Sequence, residues 1–412
     1  MVKLKHLLVL LAIYPWLDFV IRLGTPTIIG SIWDDLFLLV ILIAFLIEKR
    51  QEQRYLIVPK SVKWSFQIFL LFSISSIIIN VVPLAVSIDV LRVVFQPMLF
   101  AIITFYLLDE EETTDAFIRL MVVSTVLIAI AGIIQYLFKI ESVRWVHNKD
   151  LEQFRIVSIF SNPNALAGYL NMLLSFTIAL FLYIQGKWQK IAYFAASLII
   201  FVALLLTFSR GAWIAFFVMV LYLLWIWNKK WLLALPLFVA ITPFVMPDSV
   251  VQRFANLLDP TYYQMSSEYG RIAFWLEALQ KIKENPLFGM GLGMFGDSVP
   301  LRHNIPFSTW VDNHYLKLGA EIGIFGLSGF LLLLVSLFIL NHRMIKQAPS
   351  NKDKAYLLGI AGVQITMAIQ NVTASIFEAL ANAVYFYAFM GMLLAFVWRN
   401  NIKKSKLSER GK

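Results

Sequence analysis

Phe117–Phe138 reads FIRLMVVSTVLIAIAGIIQYLF, with one charged residue, Arg119, near its start. A stretch of about 20 apolar residues is what a helix needs to cross the hydrocarbon core of a bilayer. The same reading extends outward along the chain to windows near 7–22, 28–47, 64–84, 87–107, 164–184, 191–208, 212–228, 231–247, 314–340, 355–376 and 380–398. The expected fold class is therefore all-α: a polytopic membrane protein with about 12 transmembrane helices. Composition agrees, since 60% of the 412 residues are hydrophobic and only 15% are charged, against roughly a quarter in soluble domains. A soluble globular protein is excluded. The absence of cysteine excludes disulfides, zinc–cysteine sites, iron–sulfur clusters and thiol catalysis.

A net charge of +10 could suggest nucleic acid, but the position of the basic residues gives it another meaning. Lys49, Arg50, Arg54, Lys60 and Lys63 follow the second window, Lys229 and Lys230 the eighth, and a basic run from Arg399 the last. By the positive-inside rule these segments face the cytoplasm, and so do both termini. Asp109–Glu112 dissent, but acidic residues weigh little in that rule. Nucleic acid drops out as a partner. Lys3 and Lys5 make the first window look like a signal peptide, yet Pro15, Trp16 and Asp18 interrupt it and no small-residue cleavage site follows, so it reads as a retained anchor.

The chain reads as a single integral membrane domain, 1–412, whose one long connection is an extracytoplasmic loop, 247–312, between the ninth and tenth spans. Function is expected there. Ile272, Trp275, Leu276, Leu279 and Ile282 recur at helical spacing in this loop, with Glu277, Gln280, Lys281 and Glu284 on other faces. That pattern predicts an amphipathic helix near the membrane surface, ending at Asn285-Pro286. Gly289, Gly291 and Gly293 follow as a turn with backbone shapes closed to other residues. No strand precedes them and no Lys-Ser/Thr follows, so neither dinucleotide nor Walker chemistry is implied. The five histidines lack metal-ligand spacing. No metal and no cofactor is expected.

The outer ends of the spans hold polar groups that a lipid-facing surface would not need. Arg155 precedes Ser161-Asn162-Pro163-Asn164, Ser209-Arg210-Gly211 forms a tight corner, Arg271 opens the amphipathic helix, and Asp312-Asn313-His314-Tyr315 leads into the tenth span. Arginine offers a planar fork of donors that matches a phosphate, and two or three would hold a diphosphate. The alternative is that these arginines snorkel or pair with carboxylates. Arg92 and Arg119 read as buried pairs or anchors. Asp34, Asp35 and Glu378 read equally as caps, as partners in ion pairs or as the lining of a polar cavity.

Taken in order, Ser161–Ala167, Thr207–Ala212, Arg271 with Trp275, Pro286–Gly291, Asp312–Leu316 and Glu321–Gly326 resemble the O-antigen ligase and polysaccharide polymerase family, over a catalytic region at about 155–330. The resemblance implies a metal-independent glycosyltransferase of the bacterial inner (cytoplasmic) membrane. Its donor would be a glycan linked through diphosphate to undecaprenol. Arg210 and Arg271 would grip that diphosphate, with Arg155 beside them, and charge developing there as the glycosidic bond breaks would be stabilised. Asn162, Asn164, Asn313, Tyr315, Trp275 and Glu268 would contact substrate.

Ligases of the family are expected to show His-Asn-x-Tyr-Leu where this chain has Asp312-Asn313-His314-Tyr315-Leu316, so Asp312 occupies the place of the candidate base. His314 and Glu268 are the other candidates for that role. The departure favours a polymerase of capsule, exopolysaccharide or O-antigen type, which would work with a flippase and a chain-length regulator. Ligation of a finished glycan to another acceptor is the alternative. A transporter of polysaccharide or lipid-linked sugar is the alternative of another class, against which stands the lack of related halves.

Overall fold

The computed structural model describes residues 4–24, 27–49, 56–108, 110–144, 154–234, 260–306 and 310–410. Its helices in chain order are α1 (Leu4–Ala12), α2 (Tyr14–Gly24), α3 (Thr27–Lys49), α4 (Lys60–Ile79), α5 (Leu84–Leu107), α6 (Glu111–Leu137), α7 (Pro163–Tyr183), α8 (Lys187–Leu206) and α9 (Arg210–Asn228). They continue with α10 (Pro260–Tyr269), α11 (Arg271–Glu284), α12 (Ser298–Arg302), α13 (His314–Lys346), α14 (Asn351–Gln370) and α15 (Leu380–Arg410). Among the described residues there is no strand. Among the described residues, eight helices, α4–α9, α13 and α15, are long and apolar enough to cross a membrane. The chain is a multi-pass membrane protein.

Several expected spans take a more detailed form. The window at 7–22 is two helices, α1 and α2, separated at Ile13; the break puts Pro15 in the first turn of α2, where its missing N–H would be unpaired anyway. The window at 231–247 lies mostly outside the described residues. The window at 355–376 is helical only to Gln370, and α14 is too polar to count among the eight. It is largely buried in the bundle: it packs on α7 and α9 and buries Asp353, Gln364 and Gln370. Burial separates the inner helices from the outer ones. The apolar windows of α7 and α15 are 83% and 89% buried, whereas those of α4 and α8 are 28% and 22% buried, so α7 and α15 form the centre and α4 and α8 turn broad apolar faces outward, where lipid supplies the surroundings.

α13 is broken. Gly323 has φ 73° and ψ 179° inside it, a conformation essentially confined to glycine. The freed backbone groups are taken up by the glycine turn that follows α11: Met290 N–H donates to Ala320 O at 2.9 Å, Gly291 N–H to Glu321 O at 3.1 Å, and Ile324 N–H to Pro286 O at 2.8 Å. The approach is close enough to exclude side chains on both strands of the clasp, for a Cβ on Gly289 would lie 2.3 Å from the Glu321 carbonyl carbon and one on Gly323 2.3 Å from Leu287 O. Two short motifs, Pro286–Gly291 and Ala320–Ile324, thus meet as one backbone unit. Gly323→Ala is expected to lower the melting temperature of the detergent-purified protein, since the disfavoured φ/ψ alone costs roughly 1–3 kcal/mol before the clash is relieved. An alanine variant that melts with the wild type would mean that the clasp relaxes freely.

The clasp sits at the end of the bundle that also holds α10–α12, hereafter the loop end. Asn80, just past α4, donates to Gly289 O at 3.2 Å, and His314 N–H donates to Asn371 O at 2.9 Å. The amphipathic helix is present as α11, beginning at Arg271 and capped at Asn285. Its Trp275, Ala278 and Ile282 face Phe295, Val311 and Ala320, while Leu276 and Leu279 stay exposed. Only part of its apolar stripe is therefore spent on the bundle.

Candidate functional site

Asp312 owes its position to the residue before it. The Val311 peptide is pinned on both sides: its N–H donates to Asp297 Oδ1 at 2.9 Å, and its carbonyl accepts from Trp275 Nε1 at 3.0 Å. Asp312 then takes a left-handed φ of 52°, which Asp tolerates better than most residues. Asn313 caps α13 by accepting from the Tyr315 and Leu316 N–H groups. With its backbone so held, the Asp312 carboxylate meets Arg271 Nε at 2.7 Å, the two side chains being 28% and 37% exposed. This pair is open to a ligand. His314 is not: it is 6% exposed, its ring packs against Phe330 and Phe377, and its Nδ1 finds no partner among the described residues. Tyr315 donates its hydroxyl to Ala368 O at 2.7 Å, and Glu268 is exposed on α10.

A second group braces the corner between α8 and α9. Arg155 Nε donates to Thr207 O at 2.9 Å and its Nη2 to Asn164 Oδ1 at 3.2 Å. Asn162 caps α7 by accepting from Ala165 N–H at 2.8 Å, and Asn164 O accepts from Gln370 Nε2 at 2.8 Å. Arg210 opens α9 half-buried, beside Gly211, whose place admits no side chain because a Cβ there would lie 1.8 Å from Thr373 Oγ1. The structure thus brings Arg271, Trp275 and Asp312 together, and separately Arg155 and Asn164.

The loop end also holds a cavity of about 490 Å³ whose lining includes Arg22, Arg92, Arg144 and Arg302 together with Asp18, Asp34, Asp89 and Glu378. These groups are paired. Arg22 meets Asp18 at 2.6 Å and Asp34 at 2.5 Å, Arg92 meets Asp35 at 2.8 Å, Arg144 meets Asp18 at 3.0 Å, and Arg302 meets Asp89 at 3.4 Å. Arg144 also donates to Ile159 O at 3.0 Å, tying the segment before α7 to α2. Of the residues singled out in the sequence, Arg155, Arg210 and Arg271 do not line this cavity, whereas Asp34, Arg92 and Glu378 do. The signal that could have found it is the presence of Asp18, Arg22, Asp34 and Arg92 within otherwise apolar windows, where charge is rare and usually functional.

Between the cavity and Asp312 lies a buried set of charges. Lys317 Nζ bonds Glu378 Oε1 and approaches Glu321 Oε2 at 3.7 Å. Glu321 Oε1 accepts from Phe295 N–H at 3.1 Å, and Glu378 Oε2 from Ser298 N–H at 2.8 Å. Asp297, fully buried, completes the set. Three carboxyls share one ammonium, so the arrangement is easiest to hold with a proton on one of them. Burial first, and Glu378 second, push the Asp297 carboxyl up from 3.8 to about 7. Because this folded pKa is raised above the unfolded one, the folded state holds the extra proton between pH 3.8 and about 7, and stability from this group falls as pH rises through that window. Asp297→Asn keeps an acceptor for Val311 N–H and removes the titration. Wild type is expected to lose stability relative to Asp297→Asn from about pH 4 to pH 7 in melts taken across that range; parallel curves would show that the proton resides elsewhere.

The match to the family model described as O-antigen ligase covers residues 195–331. It takes in Arg210, α11, both halves of the backbone clasp, Asp297, Asp312 and Lys317. Among solved structures, a chain from a peptidoglycan synthase complex, described as coordinating polymerization and crosslinking, aligns with a TM-score of 0.49 and 17% identity, over 82% of this chain and 96% of that one. No curated protein matches the sequence.

Proposed function

We propose that this protein polymerises undecaprenyl-diphosphate-linked oligosaccharide repeat units into a cell-surface polysaccharide, on the outer face of the bacterial cytoplasmic membrane with both termini inside. The observation that carries the reading is the half-exposed Arg271–Asp312 contact at the loop end. In the proposed step an acceptor hydroxyl gives its proton to the Asp312 carboxylate, and its oxygen forms the new bond to the anomeric carbon of the donor. The bond from that carbon to the diphosphate oxygen breaks, and undecaprenyl diphosphate leaves with the electron pair. Arg271, joined by Arg210, stabilises the charge that grows on this leaving group. Docking of the diphosphate on Arg271 loosens its hold on Asp312, which becomes available as base when donor is bound. A flippase would deliver the donor and a chain-length regulator would set the product.

The family match is described as an O-antigen ligase, which favours a second reading with the same chemistry: transfer of a finished chain to another acceptor. The polymer profile of a deletion strain carrying wild type, Arg210→Ala, Arg271→Ala or Asp312→Ala distinguishes the two. Loss of long glycan with single-repeat lipid-linked units accumulating supports the polymerase. Long lipid-linked chains that never reach a final acceptor mean a ligase, and glycans unaltered by all three variants return transport to consideration.

A further inference from the structure

We propose that the cavity of about 490 Å³ at the loop end is the binding site for the acceptor glycan, taking sugar units without net charge. This inference rests on the glycosyltransferase reading. The volume lies within the range of small-molecule sites, about 300–1,000 Å³, and the lining is polar on several sides. Its formal charges balance, with four arginines set against Asp18, Asp34, Asp89 and Glu378, and the arginines are engaged by carboxylates at 2.5–3.4 Å. A diphosphate entering here would displace or face as many carboxylates as guanidinium groups. Sugar hydroxyls, each both donor and acceptor, suit a wall of alternating guanidinium and carboxylate edges.

One buried side-chain atom of the lining, Gln96 Oε1, has no hydrogen-bond partner among the described residues. A buried polar atom left so is costly, and a turn of the Gln96 amide would bring it to a ligand hydroxyl that satisfies it. Phe160 and Leu380 add apolar surface for the flat faces of sugar rings. The cavity is also connected to the proposed base. Glu378 in its wall accepts from Ser298 N–H, and Asp297, the residue before Ser298, holds the Val311 peptide that sets Asp312. Occupancy of the cavity and placement of Asp312 therefore share one short loop.

The test uses the full-length protein in lipid nanodiscs, with diphosphate-free fragments of one to three repeat units released from the host's own surface polysaccharide as probe. Binding is read by saturation-transfer NMR and calorimetry. Wild type and Arg271→Ala are expected to bind the fragments alike. Gln96→Leu should weaken binding roughly 3- to 10-fold, the loss of one neutral hydrogen bond. Asp89→Asn should leave the cavity with net positive charge, weakening fragment binding and creating competition by inorganic diphosphate that wild type lacks. Melting curves confirm that each variant is folded, and Asp89→Asn stands alone if Gln96→Leu is not. No fragment binding by wild type, binding unchanged in the cavity variants, or competition by inorganic diphosphate in wild type would each overturn the proposal. Normal polymer in cells carrying Arg271→Ala would instead refute the catalytic reading, and would leave the cavity's glycan binding as measured.

Discussion

Asp312→Ala is expected to lower the transfer rate in membranes supplied with lipid-linked repeat units by roughly 10²–10⁴-fold, the usual contribution of a positioned general base. Arg271→Ala should cost roughly 10²–10³-fold, the range for removing one fixed group that stabilises developing charge. Arg271→Lys should recover only part, because an ammonium keeps the charge but loses the planar fork. The 2.7 Å contact between the two side chains makes a further statement possible. If they act as a unit, the double variant should be little worse than the poorer single one. Melting curves of the four variants should stay close to wild type, since both groups are partly exposed and a surface ion pair contributes only about 0–1 kcal/mol. An Asp312→Ala protein within tenfold of wild type would end the assignment of Asp312 as base. A double variant whose losses multiply would show that the two residues serve separate steps.

The largest stability effect is expected at Lys317. Its ammonium is the only positive group of the buried set and faces Glu378 and Glu321 with almost no exposure. Lys317→Met keeps most of the side-chain volume but leaves these carboxylates without their counter-charge, and breaking a buried pair in this way costs roughly 3–5 kcal/mol. That is a large share of the stability of an ordinary domain, about 5–15 kcal/mol, so little folded protein should be extracted from the membrane. Adding Glu378→Gln removes the orphaned charge while keeping an acceptor for Ser298 N–H, and the double variant should recover much of the yield and melting temperature. A single variant that extracts and melts like wild type would show that the carboxylates find protons at no cost, and a double variant no better than the single would show that Glu378 is not the partner that matters.

These two expectations differ in how much of them could be read from residue order. Asp312 was singled out because it occupies a motif position, and Arg271 because it opens a predicted amphipathic helix. Their direct contact was not visible, for 41 residues separate them and the contact depends on Val311 being held by Asp297 and Trp275. Lys317 carried no signal of its own. It shares the head of an apolar window with Glu321, four residues on, and its other partner, Glu378, lies 61 residues away. His314 looked as available as Asp312 in the sequence. The structure separates them, because Asp312 precedes the helix in a left-handed conformation and His314 begins it facing Phe330 and Phe377.

The sequence by itself determined what depends on neighbours in the chain: helices from apolar length, the stop of α11 from Asn285-Pro286, and the turn from Gly289, Gly291 and Gly293. These follow from backbone sterics and the hydrocarbon thickness, which act on a few consecutive residues. Only the tertiary structure decided where α13 breaks, since Gly323 yields its helical bonds to Pro286–Gly291 and not to anything beside it in sequence. The charged cavity is likewise a product of packing. Its arginines and carboxylates come from α2, α3, α5, α12 and the segments before α7 and α15; apart from Asp18 and Arg22, one turn apart on α2, they find their partners only when the helix ends converge.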